Sequence, residues 1–184
     1  MARTLSNMIP LGTSAPDFTL PDTVSGRKVS LTELSTGKAL VIMFLCNHCP
    51  YVKHVNAGIV RLAEDFQPQG VRFVAISSND AVNYPDDAPD KMRHVAEEEG
   101  YPFPYLYDED QSVARAYDAA CTPDFYVFDR EGKLVYRGRM DASRPQTDTP
   151  VTGADLRAAL EAVLRGETPS EDQYPSLGCN IKWK

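Results

Sequence analysis

The sequence predicts one α/β domain with a central mixed sheet that carries helices on both faces. The run 39–45 is continuously apolar and the run 71–77 is nearly so, which indicates strands buried on both faces. Between them, apolar residues recur at spacings of three and four from Val52 to Phe66, which predicts an amphipathic helix. Strand, helix and strand in this order imply a right-handed parallel crossover. A length of 184 residues fits one such domain.

A β-hairpin extension is predicted at residues 10–36, where turn-forming residues and Gly26 separate two short extended runs. After the second buried strand, residues 79–89 are rich in Asp and Pro and predict a loop. The elements that follow are a helix at 90–99 ending at Gly100, a short strand at 105–107, a short helix at 111–118, a hairpin with strands at 125–129 and 134–138, and a last helix at 156–164. We therefore predict a domain at 1–166 and a C-terminal tail at 167–184 without clear periodicity.

Charge and hydropathy exclude several classes of partner. The formal charge is −7 and no block of Lys or Arg is present, which argues against nucleic acid or an anionic membrane as a partner. No stretch approaches the roughly 20 apolar residues of a membrane span. Residues 1–10 lack the apolar core of a signal peptide, so we expect a cytoplasmic protein. Four cysteines in such a protein favour redox or metal chemistry over a disulfide scaffold.

The motif Cys46-Asn47-His48-Cys49 lies where the first buried strand meets the amphipathic helix. Free N–H groups and the helix dipole at a helix N-terminus favour an anion, which lowers the pKa of a thiol placed there. Two intervening residues allow the second thiol to attack a mixed disulfide formed by the first. We therefore predict Cys46 as the exposed nucleophile and Cys49 as the resolving thiol, with His48 available to stabilise the Cys46 thiolate.

Half of a zinc site is the alternative interpretation of two cysteines at this spacing. A structural zinc site needs two further ligands at compatible spacing, and the sequence has no second Cys-x-x-Cys. The remaining cysteines and histidines are scattered singly. We expect no metal and no cofactor other than the cysteine pair.

Thr122-Pro123 precedes the second pair of strands. A proline before a strand is often only a turn former or an edge residue. In this order of elements, a cis bond before Pro123 would hold the backbone of Thr122 beside the cysteines, where its N–H and C=O groups are available to a peptide or thiol. We predict a cis bond here and a substrate-binding role for both residues.

Three pieces of the sequence together carry a family resemblance: Gly12-Thr13-Ser14-Ala15-Pro16-Asp17-Phe18, the strand leading to Cys46-Asn47-His48-Cys49-Pro50, and Thr122-Pro123. Over residues 10–166 the chain resembles the thioredoxin superfamily, in particular the redoxin branch related to alkyl hydroperoxide reductase (AhpC/TSA). The resemblance implies a thioredoxin fold, a cis-proline at Pro123, and dithiol–disulfide exchange at Cys46 and Cys49.

The sequence departs from its relatives at the motif itself. Thioredoxins usually carry Trp where this chain has Leu45, and a histidine before the second cysteine is similar to strongly oxidising members. Peroxiredoxins carry a Pro-x-x-x-Thr/Ser-x-x-Cys pattern that neither cysteine fits, since Ile42 and Cys46 precede Cys49 at those positions and Ala39 and Met43 precede Cys46. Peroxidase activity is therefore the second hypothesis.

Two further cysteines are possible accessory thiols. Cys121 lies two residues before Pro123 and is best interpreted as a small buried hydrophobe. Cys179 lies in the tail, whose only tryptophan, Trp183, suggests that this segment packs against the domain. We expect the tail to fold back and bring Cys179 near Cys121 or the motif, where it would serve as an extra resolving thiol.

The first functional hypothesis is thiol–disulfide exchange with protein or small-molecule disulfides, supported by an external reductant, in a monomer or weak dimer. The second is a thiol-dependent peroxidase with an antioxidant role in cell redox homeostasis. The third is a redox-regulated or metal-linked binding protein that uses the fold without turnover.

Overall fold

The computed structural model describes residues 3–184. Its strands are β1 (Arg3–Leu5), β2 (Thr19–Pro21), β3 (Lys28–Ser30), β4 (Ala39–Phe44), β5 (Val71–Ser77), β6 (Tyr105–Tyr107), β7 (Cys121–Thr122), β8 (Asp124–Asp129), β9 (Leu134–Gly138) and β10 (Leu177–Asn180). Its helices are α1 (Leu31–Leu34), α2 (Pro50–Phe66), α3 (Pro89–Glu99), α4 (Ser112–Ala116) and α5 (Ala154–Leu164). Single 3₁₀ turns lie at Gln67–Gln69 and Pro85–Asp87.

The central sheet has five strands in the order β6-β5-β4-β8-β9. Strand β4 pairs parallel with β5 and antiparallel with β8, so the sheet is mixed as predicted. All six residues of β4 are buried because alternate side chains enter opposite cores. Val41 and Met43 face the core that contains α2 and α5, whereas Ile42 and Phe44 face the core that contains the N-terminal hairpin and α4.

The local sequence signals also fix the helices and the hairpin. Helix α2 begins at Pro50, whose missing N–H costs nothing in the first turn. Helix α3 ends at Gly100, which adopts the left-handed conformation (φ +68°) that closes a helix. Strands β2 and β3 form the predicted hairpin, and Leu20 and Val29 from these strands fill the second core. Within residues 3–184, no helix is both long enough and apolar enough to cross a membrane.

A second sheet lies outside the sequence-based expectation. Strands β1, β10 and β7 form a three-stranded antiparallel sheet, so the tail contributes a central strand. Further along the tail, Ile181 is buried in the second core. The expectation that the tail folds back onto the domain is confirmed, although its lack of periodicity had given no strand.

Candidate active site

The end of β4 and the start of α2 position the two thiols of the motif. Cys46 follows the strand, and Cys49 is the N-cap of the 17-residue helix α2. Both side chains are buried, with 2% of Cys46 and none of Cys49 exposed. The prediction of an exposed Cys46 is therefore wrong for this closed structure, because the segments around Thr122 and the tail strand cover the motif.

The Thr122–Pro123 peptide bond is cis, as predicted. It brings Thr122 against both thiols: the Cys46 Sγ lies 3.2 Å from the Thr122 hydroxyl oxygen, and the Cys49 Sγ lies 3.3 Å from its carbonyl oxygen. Thr122 is itself buried. The end of β7 therefore forms one wall of the thiol site.

The tail strand β10 forms the adjoining wall. It pairs antiparallel with β7 so that Cys179 stands opposite Thr122 in the register. The Sγ atoms of Cys49 and Cys179 are 2.8 Å apart. Thr122 was expected to offer its backbone to an incoming peptide, but in this structure the edge of β7 is already paired with β10.

The surroundings of the two thiols shift their pKa values in opposite directions. A hydrogen bond from the Cys46 thiol, with further hydrogen bonds from the Cys179 thiol and the Val52 backbone N–H, lowers the pKa of Cys49 to about 5 against the cost of burial. The pKa of Cys46 is raised well above its usual value because its thiol donates to Cys49, because it is buried and because the Asp87 carboxylate is near. The sequence analysis placed the thiolate at Cys46, whereas the residue that caps α2 is Cys49, three residues further on.

His48 is paired with a carboxylate that the sequence analysis did not single out. Its Nδ1 lies 2.6 Å from Asp87 Oδ2, and Asp87 is fully buried. This contact raises the pKa of His48 despite partial burial and lowers that of Asp87 although burial opposes it. The predicted role of His48 beside a Cys46 thiolate is corrected accordingly, because the main countercharge of the imidazolium is Asp87.

Asn47 and Asn79 hold this carboxylate in place. The Asn47 backbone N–H donates to Asp87 Oδ1 at 2.7 Å, and the Asn79 side-chain amide donates to Oδ2 at 2.8 Å. The side chain of Asn47 accepts from the Tyr105 hydroxyl and donates to the Asp86 carbonyl. Asn47 thus fastens the motif to the loop after β5 rather than facing a substrate.

Cys46, His48 and Asp87 form a group whose potential metal-binding atoms all lie within 4.8 Å of one another. Thiolate, imidazole and carboxylate are ligand types that zinc accepts. The Asp87 oxygens in this group already accept hydrogen bonds from Asn47 and Asn79. The geometry therefore suits an ion-pair network directly, and a metal would have to compete with it.

Two neighbours of the thiols escaped the sequence analysis. Asp87 lies in the stretch interpreted as a plain loop, and Lys182 lies in the tail. Lys182 is buried, and its Nζ donates hydrogen bonds to the carbonyl oxygen and the side-chain oxygen of Asn180. For Asp87, one signal was present: its loop leaves the carboxyl end of β5, beside the end of β4 that carries Cys46. Functional groups of α/β sheets collect at that edge.

Cys121 is fully buried, and its Sγ contacts the Pro123 carbonyl oxygen at 3.9 Å. Burial raises its pKa strongly, as do the neighbouring Asp124 and cysteine charges. This placement agrees with a small buried hydrophobe and distinguishes Cys121 from Cys179, which contacts the motif.

A mixed sheet, a Cys-x-x-Cys at a strand–helix junction and a cis-proline facing it define a thioredoxin-fold redox protein. The model of the AhpC/TSA family matches residues 11–137, and the chain belongs to this family.

Named relatives fall into two groups. The thiol-disulfide oxidoreductase ResA of Geobacillus thermodenitrificans is 29% identical over 157 residues, covering 84% of this chain and 79% of its own. A Mycobacterium tuberculosis protein whose name proposes a peroxiredoxin is 29% identical over 136 residues, covering 67% of this chain and 81% of its own.

Solved structures repeat the fold. An uncharacterized conserved protein from Geobacillus kaustophilus is 60% identical, with a TM-score of 0.99 over 100% of this chain and 97% of that one. The thioredoxin domain of a thiol-disulfide oxidoreductase from Bacteroides vulgatus, 18% identical, has a TM-score of 0.62 over 81% of this chain and 96% of that one. At that identity the second likeness concerns the fold alone.

Proposed function

We propose that this protein is a thiol–disulfide oxidoreductase that exchanges its Cys46/Cys49 dithiol–disulfide with disulfides of proteins or small molecules and is supported by an external reductant. The observation that carries the proposal is the placement of the pair: both thiols lie at the junction of β4 and α2, with Cys49 at the N-cap of the helix, and both contact Thr122, which precedes the cis-proline. Hydrogen bonding lowers the pKa of Cys49, which supports the proposal. A pair that holds one negative charge at neutral pH has the ionised sulfur that exchange requires.

The first step uses the proton shared by the pair. Cys46 attacks one sulfur of a substrate disulfide and passes its proton to Cys49, so that a mixed disulfide forms on Cys46 and the other half of the substrate leaves as a thiolate. Cys49 gives this proton to the departing thiolate and attacks the Cys46 sulfur. The Cys46–Cys49 disulfide forms, the second half of the substrate leaves, and two electrons have passed from the protein to the substrate. Cys46 is the attacking thiol because the Thr122 carbonyl and Cys179 enclose Cys49.

His48 and Asp87 act as positioning residues in this proposal. Their pair fixes the imidazole beside the motif, and the imidazolium charge favours the Cys49 thiolate. Asp87 opposes ionisation of Cys46. Together they support a single ionised sulfur, at Cys49, in the resting dithiol.

A thiol-dependent peroxidase with an antioxidant role is the second candidate function. Burial of both thiols favours an oxidant as small as a peroxide, and the Thr122 hydroxyl lies within 3.2 Å of Cys46. The absent Pro-x-x-x-Thr/Ser-x-x-Cys pattern opposes it. The metal-linked alternative rests on the Cys46, His48 and Asp87 group.

The acidic charge and the lack of a basic block support a protein without nucleic-acid or anionic-membrane partners. A cytoplasmic location and a monomer or weak dimer are part of the same proposal.

Stopped-flow oxidation of the reduced protein by a model disulfide and by hydrogen peroxide tests the proposal. We expect rapid exchange with the disulfide in the wild type and in Cys121→Ala, and its loss in Cys46→Ser. Fast reaction with peroxide together with slow disulfide exchange would instead establish the peroxidase. Inertness toward both, with stoichiometric zinc binding, would favour the third hypothesis.

A further inference from the structure

The tail strand brings a third sulfur into the thiol site with a register that the sheet enforces. Cys179 stands opposite Thr122 in the β10–β7 pair and opposite Arg3 in the β10–β1 pair, so it lies in the middle strand of three. Its Sγ is 2.8 Å from the Sγ of Cys49. A disulfide bond measures about 2.05 Å, so the two sulfurs need to move by less than an ångström to bond.

The close approach of β10 depends on a residue without a side chain. A Cβ on Gly178 would overlap the carbonyl oxygen of Thr122 and lie 3.2 Å from the Pro123 nitrogen. The backbone of Gly178 is not in the left-handed region, so glycine is needed here because a side chain has no room and not because of the backbone conformation. Glycine at position 178 thus allows β10 to lie close enough to β7 for Cys179 to contact Cys49.

Hydrogen bonds beyond Cys179 anchor the tail on the far side. The Lys182 N–H donates to the Asn79 side chain at 2.8 Å, and its carbonyl accepts from the Asp80 N–H and the Gln111 side chain, both at 2.8 Å. Asn79 and Gln111 are buried. Strand pairing of β10 and the hydrogen bonds of Lys182 therefore both hold Cys179 in contact with Cys49.

We propose that Cys179 is a third redox thiol, which takes over the disulfide from the Cys46–Cys49 pair and leaves the oxidised protein as a Cys49–Cys179 disulfide between domain and tail. This inference rests on the thiol–disulfide exchange proposed above. Cys179 attacks the Cys49 sulfur, the Cys49–Cys179 bond forms, the Cys46–Cys49 bond breaks, and the proton of Cys179 passes to the leaving Cys46. The step is an internal exchange, so it consumes no further oxidant or reductant.

Electrostatics supports the order of these steps. In the reduced protein, burial, the hydrogen bond to Cys49 and the Cys49 charge raise the pKa of Cys179 to about 12. The last two causes vanish when Cys49 enters a disulfide, whereas Lys182 continues to lower the pKa of Cys179. The third thiol therefore becomes easier to ionise at the stage when its attack is required.

Disulfide mapping of the full-length protein tests this proposal. Reduced protein is treated with one equivalent of hydroxyethyl disulfide, quenched with acid, alkylated in denaturant and digested with trypsin. Cys46 and Cys49 share the tryptic peptide 39–53, while Cys179 lies in 166–182 and Cys121 in 116–130. We expect peptide 39–53 joined to 166–182, with Cys46 alkylated.

Three variants sharpen the result. In Cys179→Ala the cross-link disappears and Cys46 becomes protected from alkylation, because the disulfide stays within peptide 39–53. Cys121→Ala is the matched control, a buried cysteine on the neighbouring strand, and leaves the map unchanged. In Cys46→Ser the first exchange with the reagent is lost, so the cross-link does not form.

The proposal is overturned if the wild type loses two thiols but peptides 39–53 and 166–182 are never joined, or if Cys46 stays alkylated in Cys179→Ala. A wild type that loses no thiols at all would refute disulfide exchange itself, which is a different failure. Circular dichroism establishes that each variant is folded, and the wild-type map decides the question if Cys179→Ala is not.

Discussion

Gly178→Ala tests how closely the tail strand must approach the thiol site. The added Cβ would overlap the Thr122 carbonyl oxygen and lie 2.6 Å from the carbonyl carbon, whereas real Cβ contacts are not shorter than 3.0 Å. Strand β10 must therefore withdraw by at least 0.4 Å to clear the carbon, and further to clear the oxygen. Backbone atoms, unlike side-chain ends, cannot turn aside.

Overpacking of this kind costs about 1–3 kcal/mol. For a domain of this size each kcal/mol lowers the melting temperature by roughly 2–4 °C, so we expect a decrease of roughly 2–12 °C. The withdrawal also separates Cys179 from Cys49, so the yield of peptide 39–53 joined to 166–182 falls in the same variant. Thermal unfolding and disulfide mapping measure the two effects on one sample.

Gly58→Ala is the matched control. A Cβ at Gly58 would meet the side-chain ends of Val151, at 2.6 Å, and Met140, at 3.0 Å, which can shift by rotation. Gly58 lies within α2, where alanine is favoured over glycine by about 1 kcal/mol. We expect a small change in stability and an unaltered disulfide map. An unchanged melting temperature and cross-link yield in Gly178→Ala would refute the reasoning about the close approach of β10.

The remaining predictions concern charge and the individual thiols. Asp87→Asn lowers the pKa of His48 toward its usual value, which a histidine NMR titration measures; a pKa as high as in the wild type would show that Asp87 is not its partner. Because the pKa of His48 is raised in the folded state, its contribution to stability is complete below about pH 6.5 and is lost as the pH rises through the folded pKa. The free energies of unfolding of wild type and Asp87→Asn, measured in urea, should therefore converge at high pH. The reduced protein should keep its ultraviolet thiolate absorbance down to about pH 5, and Cys49→Ser should lack it there; persistence in that variant would assign the charge to another sulfur. Asp87→Ala should cost about 1–3 kcal/mol in urea unfolding, since it removes the partner of His48 and leaves the Asn47 and Asn79 donors without their acceptor, and a loss near zero would contradict the described network.

Local patterns predicted the central architecture because each signal lies within one element. The apolar run of β4 extends over 6 residues, and the three- and four-residue spacing of apolar residues in α2 extends over 17. These two patterns place the cysteine motif at the junction of β4 and α2. The cis bond at Pro123 followed from that junction and the order of elements. The central sheet, the hairpin and the position of the thiol pair were therefore predictable.

The three-stranded sheet was not predictable by the same means. Strand β7 has two residues and β10 has four, too few for a period to show, and their partners lie far apart in the chain. Asp87 was missed for a related reason, since a loop carboxylate gains its role only when folding brings it to His48. The covering of both thiols was missed for the same reason, since Thr122 and Cys179 reach the motif from distant parts of the chain, and the assignment of the nucleophile to Cys46 stays a prediction.

The separation of Cys49 and Cys179 by 130 residues has a consequence for the newly made chain. Ribosomes deliver the β4–α2 junction long before the tail strand, and contacts between distant residues also close later during folding because of their entropy cost. Throughout that interval the nascent domain presents the Cys46–Cys49 pair without the strand that later encloses it. Biosynthesis thus provides a period in which the pair is open to small thiols and disulfides or to other nascent chains, and docking of β10 ends it.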